Sequence, residues 1–145
     1  MRDINLIVYH CSATEQGKDY SLREITRWHK LRGFRTIGYH FIIHPDGKVE
    51  TGRKIEEMGA HAKGYNGNSI GVSYIGGLLK GKSFDTRTTA QIHSLRAIDQ
   101  VLKSIYPGAK SVGHRDLSVD LNGDGAISKD EWMKACPSFD VKTQF

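Results

Sequence analysis

"INLIVYH" (residues 4–10) is the stretch whose reading decides the architecture. It is apolar on both faces, so it reads as a buried central strand covered by helices rather than a half-wetted one. It also ends on a histidine, and strand ends are where open α/β sheets usually build their sites. Downstream, "SLREITRWHKLRG" (21–33) is a helix. Ser21 and Glu24 make its capping box, Gly33 stops it, and Ile25, Trp28, His29 and Leu31 form the expected inward stripe. "IGYHFIIHPDGKVETG" (37–52) reads as two strands joined by a Pro-Asp-Gly turn. "GAHAKGYNGNS" (59–69) is a Gly/Asn-rich loop of the kind that presents functional groups, and "IGVSYIGG" (70–77) is a further strand. Thr88 and Gln91 cap a long helix that stops at Pro107-Gly108, and "KSVGH" (110–114) is the last strand. A short helix is expected around Glu131 to Ala135, ended by Pro137. Strands and helices interleave along residues 1–145, which predicts one α/β domain with a central mixed β-sheet flanked by helices.

The bulk numbers narrow the class. A chain of 145 residues fits one domain, and a domain of that size needs no disulfide framework. With 38% hydrophobic and 26% charged residues, it reads as globular rather than disordered. A net charge of +5 favours anionic polymers in general, but the Lys and Arg residues are dispersed. No basic arm forms, so no specific nucleic-acid partner is expected. No run approaches the roughly 20 apolar residues that span a bilayer. The opening "MRDINLIVYH" lacks the apolar core of a signal peptide, which leads us to expect synthesis in the cytoplasm. A monomer is expected.

Two histidines and a cysteine suggest a metal. His10 ends the first strand, His114 ends the last, and Cys136 follows soon after. Two imidazoles and one thiolate with a fourth position open form a catalytic zinc arrangement, in which bound water ionises near pH ~7. Of the seven histidines, His29 and His93 on helices and His44 beside a turn read as structural or surface residues. Cys11 neighbours His10 on a strand and so points to the opposite face, as a buried free thiol.

A second ion site is written into "DLNGDGAISKDE" (120–131). Asp120, Asn122, Asp124, Ser128 and Glu131 occupy positions 1, 3, 5, 9 and 12 of an EF-hand calcium loop. Gly125 takes the sharp turn and Ala126 offers its carbonyl. The same stretch also reads without an ion: Ser128 and Glu131 form a capping box, and Asn-Gly-Asp-Gly is a strong turn. No clear helix precedes the loop and no second loop pairs with it, so any calcium would be structural.

Several blocks, in order, resemble a known family. "HCSAT" (10–14), "REI…WHK" (23–30), "GYHFII" (38–43), "HAKGYNGNSIGV" (61–72) and "KACPSFD" (134–140) are similar to the zinc-dependent N-acetylmuramoyl-L-alanine amidases of the phage lysozyme type, relatives of the peptidoglycan recognition proteins. The resemblance implies zinc ligands at His10, His114 and Cys136, and catalytic roles for Tyr39 and Lys134. It implies a peptidoglycan substrate, with His61 and Asn66 placed to offer hydrogen bonds to the glycan or stem peptide. Some cousins carry a glutamate where Ser73 stands here, so no carboxylate base is assumed, and Tyr39 acting with the metal and Lys134 is the group favoured to move the proton. The family pattern has a shorter connection between His114 and Cys136; here the calcium-type loop lengthens it. The function implied is hydrolysis of the N-acetylmuramic acid to L-alanine bond by an endolysin that acts on the cell wall or periplasm after release. A non-catalytic peptidoglycan-binding module and a cytoplasmic wall-recycling amidase are the alternatives, and the presence of Cys136 favours an enzyme over the binding module.

Overall fold

In the computed structural model, which describes residues 2–145, the first strand is β1 (Leu6–Cys11). It pairs in parallel with β5 (Ser69–Tyr74) on one side and with β8 (Lys110–Gly113) on the other. Beyond β5 lie β3 (Phe41–Ile43), also parallel, and β4 (Val49–Thr51), the antiparallel half of the Pro-Asp-Gly hairpin. The sheet order is therefore β4-β3-β5-β1-β8, a mixed sheet as expected. Parallel neighbours need crossovers, and the two helices supply them: α1 (Leu22–Leu31) precedes β3, and α2 (Thr89–Ile105) joins β5 to β8. A second small sheet of β2 (Thr14–Glu15), β6 (Gly77–Leu79) and β7 (Lys82–Ser83) has no counterpart in the expectation. Its strands are two or three residues long, too short to carry a periodic signal.

Strand alternation separates the chemistry from the core. Ile7, Tyr9 and Cys11 of β1 join Ile70, Val72 and Tyr74 of β5 in a cluster with Leu95 and Leu102 of α2. The opposite face belongs to α1, whose Ile25 packs with Ile42 and Ile75. Side chains of period two place His10, Ser69, Gly71 and Ser73 on this second face, with His10 directly across from Ser73. Burying each isoleucine contributes roughly 1.5–3 kcal/mol, so the register of β1 is strongly fixed and its histidine with it.

Both helix starts form as read. The Ser21 hydroxyl accepts the Glu24 N–H at 3.1 Å and Glu24 accepts the Ser21 N–H at 2.7 Å. Thr88 and Gln91 make the same reciprocal pair. Gln91 then turns its amide inward onto the carbonyls of Ile43 and Ile75, stitching α2 to the sheet. Gly33 just past α1 has φ 92°, the left-handed turn that suits glycine. On α1 the inward stripe is narrower than expected: Ile25 and His29 are buried and Trp28 is half-buried, but Leu31 is 77% exposed. At about 100° per residue Leu31 sits roughly 120° around the helix from Ile25, outside the buried arc.

Two further expectations change at the C-terminal end. β8 stops at Gly113, and His114 opens a 3-10 turn (His114–Leu117) instead of ending the strand. The helix expected around Glu131 to Ala135 does not form; a 3-10 turn at Lys129–Glu131 gives way to an extended Trp132 with ψ 119°. The chain leaves the helical conformation at Trp132, five residues before Pro137, whose ring restricts only Cys136. Trp132 is instead held under the Arg115 guanidinium, 3.8 Å above the ring. Among the described residues, no helix is long and apolar enough to cross a membrane.

Candidate active site

Three segments distant in sequence meet at the C-terminal ends of β1 and β8. Gly113 pairs with Tyr9, so the chain delivers His114 beside His10, with ring centroids 4.6 Å apart. Cys136 arrives from the far side of the 120–131 loop. Its Sγ accepts the Cys11 N–H at 3.2 Å and lies 3.7 Å from Nδ1 of His10. The Arg115 N–H donates to the Cys136 carbonyl at 2.8 Å, and Tyr74 donates to the Pro137 carbonyl at 2.8 Å, so this segment is anchored on both sides. One donor atom from each of His10, His114 and Cys136 lies within 4.8 Å of the others.

The electrostatics suit a cation. Burial holds His10 well below the ordinary imidazole range and lowers His114 to about 4, with the Lys134 ammonium adding to both. Both rings are therefore neutral at physiological pH and can offer a lone pair. The neighbouring Cys11 thiol and burial push the Cys136 thiol well up. A thiolate there needs a compensating positive charge, which a metal supplies as it displaces the proton. Two imidazole nitrogens and one sulfur suit zinc better than calcium or magnesium, which prefer oxygen. Cys11 itself faces the α2 core, as the strand alternation requires, and is a free thiol.

Around this centre is a cleft of about 850 Å³. Tyr39 and Lys134 both line it. The Tyr39 ring is tilted against His10 at 5.1 Å and set edge-on to His29 at 5.1 Å. Burial, helped by the nearby cysteines, pushes its hydroxyl above the usual phenol range, so it is a proton-bearing donor at neutral pH. Lys134 is exposed on the rim. Opposite His10, Ser73 presents a buried hydroxyl, the one buried side-chain polar atom without a hydrogen-bond partner among the described residues.

His61 and Asn66 reach the same cleft, but both ring nitrogens of His61 and the side-chain oxygen of Asn66 have partners within the protein. Nδ1 of His61 is 2.8 Å from Nε2 of His10, and Nε2 of His61 is 3.2 Å from the Ser69 hydroxyl. The Asn66 carbonyl oxygen accepts the N–H groups of His61 and Ala62, both at 2.9 Å. His29 was read as structural, and its Nδ1 does accept the Gly38 N–H at 2.8 Å. It nevertheless lines the cleft against Tyr39, together with Arg32. No sequence spacing signals this, since α1 and Tyr39 meet only through the fold. His44 is placed away from the site: Asp19 and Glu50 hold it at 2.7 and 2.6 Å.

In the 120–131 loop, carboxylate oxygens of Asp120, Asp124 and Glu131 lie within 4.8 Å of one another. Each also accepts local hydrogen bonds. Asp120 caps Gly123 and Gly125, Asp124 caps Ala126, and the Asn122 side-chain oxygen takes the Asp124 N–H at 3.1 Å. Glu131 reaches back to Leu121, Asn122 and Ser128. Half of the capping box read for Ser128 and Glu131 forms: Glu131 accepts the Ser128 N–H at 3.0 Å, while the Glu131 N–H goes to the Ser128 carbonyl and the Ser128 hydroxyl donates to the Glu131 carboxylate.

The family model for N-acetylmuramoyl-L-alanine amidase matches residues 1–138. The chain belongs to this family. It is 44% identical over 137 residues to the endolysin of Escherichia phage T7, covering 94% of this chain and 82% of that one. It is 42% identical over 142 residues to the endolysin of Klebsiella phage KP32, covering 97% and 85%. Among solved structures, an N-acetylmuramoyl-L-alanine amidase from Clostridium intestinale superposes with a TM-score of 0.74 at 28% identity, covering 99% of this chain and 82% of that one. A bumblebee peptidoglycan recognition protein shares the fold, with a TM-score of 0.75 at 22% identity over 99% and 81% of the two chains. The protein is accordingly an amidase, a hydrolase of the endolysin kind.

Proposed function

We propose that this amidase is zinc-dependent and cleaves the bond between N-acetylmuramic acid and L-alanine in peptidoglycan. His10, His114 and Cys136 hold the metal. The observation that carries the reading is the meeting of these three donors, two imidazoles and a thiol, in one cleft. A bound zinc supplies Lewis acidity toward the scissile carbonyl and a water activated for attack at neutral pH. The chain's own groups do the rest. The Tyr39 hydroxyl, protonated at neutral pH, donates to the carbonyl oxygen as charge develops there, and the Lys134 ammonium adds positive charge at the rim. No carboxylate stands opposite His10, where Ser73 sits, so the proton for the leaving amine comes from Tyr39 or Lys134. His61 and Asn66 form part of the wall along which the glycan or stem peptide lies.

The test combines metal analysis with mass spectrometry of muropeptides. Wild-type protein should carry one zinc and release free stem peptides beginning with L-alanine; Cys136→Ala should lose both properties. Undiminished cleavage by metal-free protein overturns the reading. Binding of peptidoglycan without cleavage by zinc-loaded wild type establishes the binding-module alternative instead.

The 120–131 loop is proposed as a calcium site, with Asp120, Asn122, Asp124, the Ala126 carbonyl and Glu131 as ligands. Its support is the complete twelve-residue pattern and the convergence of three carboxylates. The ion would hold the segment between His114 and Cys136 in register. Calorimetric titration of metal-stripped protein should show calcium binding that Asp120→Ala abolishes; no heat of binding in the wild type refutes it.

A further inference from the structure

The imidazole of His61 lies flat against β5 on the face that carries His10, and the sequence has cleared space for it. A Cβ at Gly71 would come within 2.6 Å of two carbons of the His61 ring, and one at Gly59 within 2.7 Å of its Cδ2. Neither position therefore tolerates a side chain while the ring stays where it is. The backbone that carries His61 is pinned as well. Asn66 takes the N–H groups of residues 61 and 62, and the Arg2 guanidinium holds the carbonyls of Asn66 and Ser69, both at 3.1 Å. The result is a chain of three side chains across the sheet face. Nε2 of His10 meets Nδ1 of His61 at 2.8 Å with the rings at 89°, and Nε2 of His61 meets the Ser69 hydroxyl at 3.2 Å. With Nε2 of His10 committed to His61, its Nδ1 is the nitrogen turned toward Cys136.

We propose that His61 is a positioning residue for the metal centre: it accepts the Nε2–H of His10, so that the lone pair of His10 stays on Nδ1 for zinc, while Ser69 accepts the Nε2–H of His61. The inference rests on the zinc assignment above. Histidine ligands commonly donate their second N–H to a carboxylate or a backbone carbonyl, and removing that partner typically weakens metal binding 10–100-fold. Here the partner is a second imidazole, which fixes the tautomer without adding negative charge beside the metal.

The experiment is a zinc-affinity competition against a chromophoric chelator, on metal-stripped wild type, His61→Phe and His61→Gln. His61→Phe fills the space but cannot accept, and should bind zinc about 10–100-fold more weakly. His61→Gln retains an acceptor oxygen and should recover most of that loss. Wild-type affinity in His61→Phe overturns the proposal, as does an equal loss in both variants. Nitrogen-15 NMR of the wild type gives a readout that needs no variant. His10 should be protonated on Nε2 and His61 should be bare on Nδ1; the reverse pattern overturns the proposal even if both variants fail to fold. A wild type that binds no zinc removes the zinc assignment itself, whereas tight wild-type binding with an unaffected His61→Phe removes only the role of His61.

Discussion

Replacing Gly71 with alanine is a one-carbon change whose consequence can be worked from distances. The new Cβ would lie 2.6 Å from Cγ and Cδ2 of His61 and 2.9 Å from its Nδ1. Carbon atoms rest at about 3.5–4.0 Å, so the ring must retreat by about 1 Å. It has little freedom to do so, because Gly59 closes on it from elsewhere in the loop and Asn66 holds its backbone. A 1 Å retreat stretches the 2.8 Å contact with His10 beyond hydrogen-bonding range. Overpacking of this kind costs about 1–3 kcal/mol, and the lost hydrogen bond about 0.5–1.5 kcal/mol more. The expected total of about 2–4 kcal/mol corresponds to a fall in Tm of roughly 5–15 °C for a domain of this size. The assay is thermal unfolding in the presence of a chelator, followed by circular dichroism, with Gly108→Ala as the control. A Cβ at Gly108 meets nothing within 4 Å and the backbone there is not left-handed, so that variant should stay within about 0.5 kcal/mol of wild type. If the two variants melt within about 2 °C of each other, the steric reasoning is wrong.

Tyr39→Phe keeps the ring contacts with His10 and His29 and removes only the hydroxyl; amide cleavage should fall about 10²–10³-fold at unchanged zinc content, and a loss below threefold in muropeptide release would remove Tyr39 from the chemistry. Tyr9→Phe deletes the 2.6 Å bond to the buried Asp99, which keeps Ser111 and Lys103 as partners, so urea unfolding should show a loss of about 1–3 kcal/mol without change in metal binding. His44 is a pH-dependent contributor: burial lowers its pKa, but the hydrogen bonds it donates to Asp19 and Glu50 outweigh this and leave it above 6.5. A raised folded pKa means stability that is complete below the unfolded value of about 6.5 and lost as pH rises through the folded value. Relative to His44→Gln, wild type should therefore lose Tm across that window on the alkaline side; parallel Tm–pH profiles would contradict it. The buried neutral histidines act in the opposite sense. His29 and His114, both lowered to about 4, and His61, lowered to about 3, resist protonation in the fold, so all variants should lose stability as pH falls below about 6.5.

Sequence by itself determined whatever depends on neighbours along the chain. The two capping boxes, the Pro-Asp-Gly hairpin and the buried central strand are set by residues a few positions apart, and local hydrogen bonding or burial decides them. His10, His114 and Cys136 could be named as candidate ligands from the chain, because a resemblance spanning nearly all of it implies them. Their approach to one another is a different matter. It follows from the parallel pairing of β1 with β8 and from the Arg115 to Cys136 bond, contacts across more than 100 and 20 residues that no local period encodes. The same holds for His61, which reads as a groove residue in its loop and becomes a partner of His10 only because Gly59 and Gly71 leave room for its ring. Where local signals competed, tertiary context chose: Trp132 is extended under the Arg115 guanidinium where the short helix after Ser128 and Glu131 was expected to run. The physical reason is common to all three cases. Propensity and capping act over one turn, whereas side chains from distant strands are brought to a shared face only by sheet register, and register is decided by burial of the whole core.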